Sequence, residues 1–140
     1  MPFELDSRLR NDTFPVGNGD GCQLLLLNDS RYPWFIIVPT ISNVSEWFDL
    51  PEPDQIRYHL FSVQLGKCIQ QAFGCEKINI ATLGNIVRQM HIHVVGRASA
   101  DPAWPGPVWG HSAAVHYTDE ERALRCSRLF AQGDLPFSPV

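Results

Sequence analysis

Apolar residues in this chain fall into short runs, one long helical stripe and one strict alternation. Residues 22–27 and 35–38 are apolar runs of strand length, and the polar stretch Asn28-Asp29-Ser30-Arg31-Tyr32-Pro33 between them suits a hairpin loop. They predict an antiparallel pair that Pro39 ends. Ahead of them, residues 1–13 mix charged and apolar positions, with a short helix around 6–9. Gly17-Asn18-Gly19-Asp20-Gly21 reads as a turn, because Gly and Asn tolerate positive φ. Pro51-Glu52-Pro53-Asp54 opens a helix, since proline and acids suit a first turn whose N–H groups lack partners. Ile56, Leu60, Phe61, Val63, Leu65, Cys68, Ile69 and Ala72 continue it as a wide apolar stripe at three-to-four spacing, and Gly74 stops it. Residues 77–83 alternate loosely as a strand before a turn at Gly84-Asn85. Residues 89–95 alternate strictly, with Met90, Ile92 and Val94 on one face and Gln89, His91 and His93 on the other. A Pro/Trp loop over 101–110 precedes a capping box, Thr118-Asp119-Glu120-Glu121, and a helix to about residue 132. The order strand, strand, helix, strand, strand, loop, helix predicts an α+β domain whose antiparallel sheet is covered on one side.

Composition then bounds the class. A length of 140 residues suits one domain, 1–140. Burying roughly 68–70% of the unfolded surface gives an ordinary core without disulfides or a structural metal. Hydrophobic content of 44% with 19% charged residues excludes a mainly disordered tail protein. Fifteen Asp and Glu against eleven Lys and Arg leave a formal charge of −4, which gives no footprint for grasping duplex nucleic acid. A small nucleotide needs only a local group of donors. Cys22, Cys68, Cys75 and Cys126 form no CxxC pair and no zinc-like spacing, so reduced thiols of a cytoplasmic protein are expected. The first six residues lack the basic-then-apolar pattern of a secretory leader. No apolar run approaches the ~18 residues of a membrane span.

Within that frame His91-Ile92-His93 carries the chemistry. Two positions apart on a strand, both imidazoles leave the same face, roughly 6.5–7 Å apart along the chain. Imidazole titrates near neutrality and serves as nucleophile, acid–base group or metal ligand. Three readings of the pair stand open. A divalent metal would need a third ligand from His59, His111 or His116. A nucleophilic His91 would need its tautomer fixed by a neighbour or a backbone carbonyl. Two hydrogen-bonded histidines on an exposed sheet face would need nothing more.

The stretch Asn85-Ile86-Val87-Arg88-Gln89-Met90-His91-Ile92-His93-Val94-Val95 resembles the signature of the histidine triad (HIT) superfamily, three histidines alternating with apolar residues and a polar residue four positions upstream. Gln89 stands where the first histidine would be, His91 where the central, nucleophilic one is, and His93 where the third is. The strand, loop at Asn28-Asp29, strand, helix, strand and signature come in the family's order, so the resemblance covers roughly residues 21–97. The loop at 103–110 resembles the tail of one bacterial subgroup.

That resemblance implies a HIT-like α+β fold: an antiparallel sheet of about five strands, a long helix packed on one face, and a C-terminal helix. It implies a nucleotide hydrolase or nucleotidyl transferase working on a dinucleoside polyphosphate or phosphoramidate. His91 Nε2 would attack the α-phosphorus to form a nucleotidyl-histidine, which water or another acceptor resolves. His93, Gln89 and Asn85 would contact or support the phosphate, and Asn28 or Asp29 the ribose hydroxyls. It implies a homodimer, a small-molecule nucleotide as partner, and no metal or other cofactor. Gln89 cannot take a proton, Ile86 replaces a serine that assists the leaving group in many members, and Trp34 stands near where another active-site histidine often precedes the second strand. Since acid assistance is typically worth 10²–10⁴-fold, these departures lower the rate or redirect the substrate. The alternatives are a weakly active or non-catalytic nucleotide-binding protein and, more distantly, a metal-dependent enzyme. Trp104 and Trp109 would stack on a base, or seal a core edge or a dimer contact. Arg97 would pair with phosphate or with a surface acid.

Overall fold

The computed structural model describes residues 2–140. The chain runs α1 (Ser7–Asp12), β1 (Thr13–Gly19), β2 (Cys22–Leu27), β3 (Trp34–Pro39), a 3-10 turn (Trp47–Asp49), α2 (Glu52–Phe73), β4 (Lys77–Ala81), β5 (Ile92–Arg97), α3 (Asp119–Phe130) and β6 (Phe137–Pro139). The strands form one sheet in the order β4-β5-β3-β2-β1-β6, with every neighbouring pair antiparallel. The two apolar runs pair as their pattern predicts, Leu24 opposite Ile37 and Leu26 opposite Phe35. β5 adds to β3 with His93 opposite Ile36, which puts the signature strand inside the sheet.

Helix α2 ends where Gly74 adopts φ 62° and its N–H closes onto the Gln70 carbonyl. It buries Tyr58, Leu65, Cys68 and Ile69 against Leu24, Leu26, Phe35, Ile37, Ile92 and Val94. Each fully buried aliphatic or aromatic side chain is worth about 1.5–3 kcal/mol, so this face holds the helix. The stripe is narrower than its periodicity predicts: Ile56, Leu60 and Val63 are exposed. No helix among the described residues is long and apolar enough to cross a membrane.

Several expectations change. The predicted turn at 17–21 is mostly strand: Gly17, Asn18 and Gly19 close β1, and the reversal is confined to Asp20-Gly21, where Gly21 takes φ 72°. β1 carries Pro15 and two glycines, composition that masks a strand, and a shift in register between Pro15 and Gly17 accommodates them. β6 is three residues long and gives no period to detect. The signature strand begins at Ile92, not at Gln89, and runs on to Arg97. The sheet's second face is covered too, by Leu9 of α1 and by Ala103 and Val108 of the Pro/Trp loop, packed on Leu25, Trp34, Ile36, Val38 and Val95. Strands apolar at every position, as β2 and β3 nearly are, belong to sheets buried on both faces.

Candidate functional site

The alternation does bring His91 and His93 together on that second face, their ring centroids 4.9 Å apart. Both are buried, 5% and 7% exposed. His91 Nδ1 lies 2.7 Å from the Gln89 carbonyl oxygen. A carbonyl only accepts, so Nδ1 carries the proton and, in the neutral ring, Nε2 keeps its lone pair free. Trp34 Nε1–H donates to His93 Nδ1 at 2.8 Å. An indole only donates, so the proton of neutral His93 sits on Nε2. The two rings therefore hold opposite tautomers: one offers a lone pair, the other an N–H.

The His93 environment makes the neutral ring persist. Its ring meets Trp34 at 5.7 Å and Trp109 at 5.4 Å, both edge-on. Burial first, and His91 second, lower its pKa from 6.5 to about 3. A base with a depressed folded pKa stabilises the fold fully above its unfolded value. That contribution is lost as the pH falls from 6.5 toward 3, where the unfolded chain binds a proton that the folded chain excludes. At ~1.4 kcal/mol per pH unit, lowering the pH from 7 to 5 is expected to cost about 2 kcal/mol through His93. Urea unfolding at the two pH values measures this. In His93→Asn, whose amide oxygen still accepts from Trp34, the acid loss should shrink by that amount, and an undiminished loss refutes the assignment.

Two hollows flank the pair. One, about 390 Å³, is lined by Arg8, Leu9, Asp12, Leu27, Ile36, Leu83, Asn85, Ile86, Val87, His93 and Trp109. The other, about 140 Å³, is lined by Ser45, Glu46, residues 82–85, Gln89, Met90 and His91. Asn85 borders both. A larger hollow, about 550 Å³, between α2 and residues 132–136 gathers amides, Lys67, Cys68 and Asp134 but no histidine. Of the tryptophans, Trp109 walls the site, whereas Trp104 lies against the Arg97 guanidinium, 5.8 Å from its ring centroid.

Most other expected residues sit elsewhere. Gln89 borders the smaller hollow but precedes the strand, and its side chain amide bonds to the N-terminal segment. Asn28 Oδ1 accepts from the Tyr117 N–H at 2.9 Å. Asp29 binds Arg31 through both oxygens at 2.9 Å; burial pushes its carboxyl up, but the hydrogen bonds from Arg31 outweigh this and hold it low. Neither residue lines the two hollows; both fasten the chain around 115–117 to β2. Arg97 is 2% exposed and paired with Asp101 at 2.8 Å, so it faces neither solvent nor a phosphate. His59, His111 and His116 are exposed, and no three His, Cys, Asp or Glu side chains converge among the described residues. The bond from Trp34 to His93 and the α1 wall are not legible in the sequence. Trp34 reaches His93 diagonally across the β3–β5 pairing, a register no local pattern encodes.

A sequence model of the HIT domain matches residues 8–100. Among solved structures, a histidine triad (HIT) protein from Sinorhizobium meliloti is 43% identical, with a TM-score of 0.90, covering 92% of this chain and 96% of that one. A histidine triad protein from Marinobacter aquaeolei is 41% identical with a TM-score of 0.90, covering 94% and 98%. One from Bradyrhizobium japonicum is 33% identical, also at 0.90 and with the same coverage. No functionally curated protein matches the sequence.

Proposed function

Because the chain belongs to the histidine triad (HIT) family, we propose that it hydrolyses or transfers at the α-phosphate of a nucleoside phosphate derivative. The observation that carries this reading is the opposed pair of tautomers, His91 fixed by the Gln89 carbonyl and His93 fixed by the Trp34 indole. His91 Nε2 attacks phosphorus; the N–P bond forms as the bond to the leaving group breaks, and that group departs with the electron pair. Water then forms the new O–P bond, releases a proton, and returns the N–P electrons to the imidazole. His93 Nε2–H donates to a non-bridging phosphate oxygen, as does the Asn85 amide bordering both hollows. Leu9, Leu27, Ile36 and Ile86 give the base an apolar wall.

Ile86 has no hydroxyl to protonate a leaving group. A polyphosphate leaves as a stable anion, whereas an amine needs a proton, so polyphosphate leaving groups should be favoured. The test incubates the protein with labelled dinucleoside polyphosphates and nucleoside phosphoramidates. Turnover is followed, and the quenched protein is examined for a nucleotidyl adduct on His91. Saturable AMP binding with no turnover across the panel would instead make it a non-catalytic nucleotide-binding protein.

The proposed assembly is a homodimer. Ile56, Leu60 and Val63 of α2 stay exposed, as do Ile80 and Leu83, and β4, which carries Ile80, is an edge strand of the sheet. Leu60→Glu should convert a dimer to a monomer in sedimentation equilibrium; an unchanged mass places the interface elsewhere.

A further inference from the structure

The Gln89 side chain bonds in a way that a histidine at that position would not. Its Nε2 donates to the Glu4 carbonyl at 2.8 Å, and its Oε1 accepts from the Asp6 N–H at 2.9 Å. A carboxamide carries donor and acceptor side by side, matched to one stretch of main chain. A neutral imidazole has its donor and acceptor on opposite sides of the ring. The partners are 85 and 83 residues away in sequence, so the two bonds join the signature to the far end of the chain.

What they hold is a wall of the site. The segment leads into α1, whose first turn is capped by the Asp6 carboxylate accepting from the Arg8 N–H at 2.8 Å. Arg8, Leu9 and Asp12 of this helix line the 390 Å³ hollow beside His93. Leu9 is buried against the sheet, and the Arg8 guanidinium has no ion-pair partner among the described residues. Gln89 thus carries two separable duties, one in its backbone and one in its side chain. Its main-chain carbonyl orients His91, and every substitution retains that carbonyl.

We propose that Gln89 is a positioning residue for substrate binding, whose amide latches residues 4–6 so that Arg8, Leu9 and Asp12 stand as the nucleotide wall. The proposal rests on the nucleotide reading above and adds to it: the missing first histidine is a gain of an N-terminal anchor. Substitution should therefore act on affinity and leave the chemical step in place.

Gln89→Ala, Gln89→Glu and Gln89→His are compared with wild type by hydrogen exchange over residues 3–12 and by calorimetric titration with AMP. Losing both bonds should speed exchange in this segment about ten- to thirtyfold and weaken AMP by a similar factor. With any hydrolysed substrate KM should rise in step while kcat stays within about threefold. Gln89→Glu keeps the acceptor for Asp6 but sets a carboxylate oxygen against the Glu4 carbonyl, so it should not rescue binding. Gln89→His restores the family's residue and should still bind weakly. Unchanged exchange in Gln89→Ala overturns the latch. Faster exchange with unaltered affinity, a fall confined to kcat, or a Gln89→His variant that binds as well as wild type overturns its role in the wall. If wild type binds no nucleoside monophosphate, the nucleotide reading fails and the wall fails with it, whatever the exchange shows.

Discussion

His91→Ala should lower kcat by at least about 10³-fold and abolish any covalent nucleotidyl adduct. A covalent mechanism divides one difficult displacement into two, and removing the nucleophile forces direct attack by water in a site shaped for nitrogen. Groups acting as a unit are strongly non-additive, so His91→Ala and the His91→Ala/His93→Asn double variant should be nearly equally inactive. His93→Asn alone keeps the bond from Trp34 but loses the Nε2–H aimed at developing phosphate charge. Loss of one such donor typically costs about 10²–10³-fold. Rapid-quench mass spectrometry should find the nucleotide on wild-type His91 and nowhere in His91→Ala. The mechanism is wrong if His91→Ala hydrolyses the panel as wild type does, or if the adduct lies on another residue. A cysteine is a poor rival here: burial pushes the Cys22 thiol up to about 12, so it has no thiolate to offer at neutral pH.

The pair His91 and His93 was legible because a period of two is geometry, and geometry survives any fold in which the stretch is extended. The same holds for β2 and β3, whose apolar runs leave them nowhere but a buried sheet. The capping box at Thr118 and Glu121 was legible because its partners lie three residues apart, and both of its bonds are present. What failed to show is whatever depends on which strand lies beside which. The Trp34 indole replaces an expected histidine and looks like a loss in one dimension; across the β3–β5 register it becomes the group that sets the His93 tautomer. Gln89 misled in the opposite sense. Its place in the alternation suggested a site-facing side chain, but the backbone is extended as strand only from Ile92, and its amide finds the N-terminal segment instead. The family resemblance implies a ribose contact for Asp29, while Arg31, two residues on, takes both its oxygens. A polar residue declares its chemistry in sequence, but its partner is declared only by the fold.

The largest stability effect should come from Asp101, outside the chemistry altogether. Its carboxylate accepts from Arg97 at 2.8 and 3.1 Å and from the N–H groups of Ala98, Ala103 and Trp104 at 2.8–3.1 Å. Arg97 completes its own set on Asn79 Oδ1 and the Gly106 carbonyl. Asp101→Ala leaves a buried guanidinium without its counter-charge and strips three main-chain donors of their acceptor. Breaking one side of a buried pair costs about 3–5 kcal/mol. For a chain of this length that is a fall in Tm of about 10–17 °C. Asp101→Asn keeps the shape and one acceptor oxygen, so it should lose less. A loss below about 1 kcal/mol in urea unfolding at pH 7 for Asp101→Ala sinks this account. The variant also reports on the site, because this ion pair anchors the loop that presses Trp109 against Trp34 and His93. Burial pushes the Asp101 carboxyl up, but Arg97 and the N–H groups of Ala98 and Trp104 outweigh it and hold it below its usual 3.8. Its own contribution is therefore constant between pH 7 and 5 and falls away only at lower pH. Any change that Asp101→Ala makes to the pH 7-to-5 stability loss must then come through His93. If loosening the loop admits water beside that ring, burial no longer depresses its pKa so far, and the acid loss of about 2 kcal/mol should shrink in Asp101→Ala without any substitution at His93. An undiminished acid loss in a variant that is otherwise destabilised would mean that Trp109 keeps its place without the ion pair.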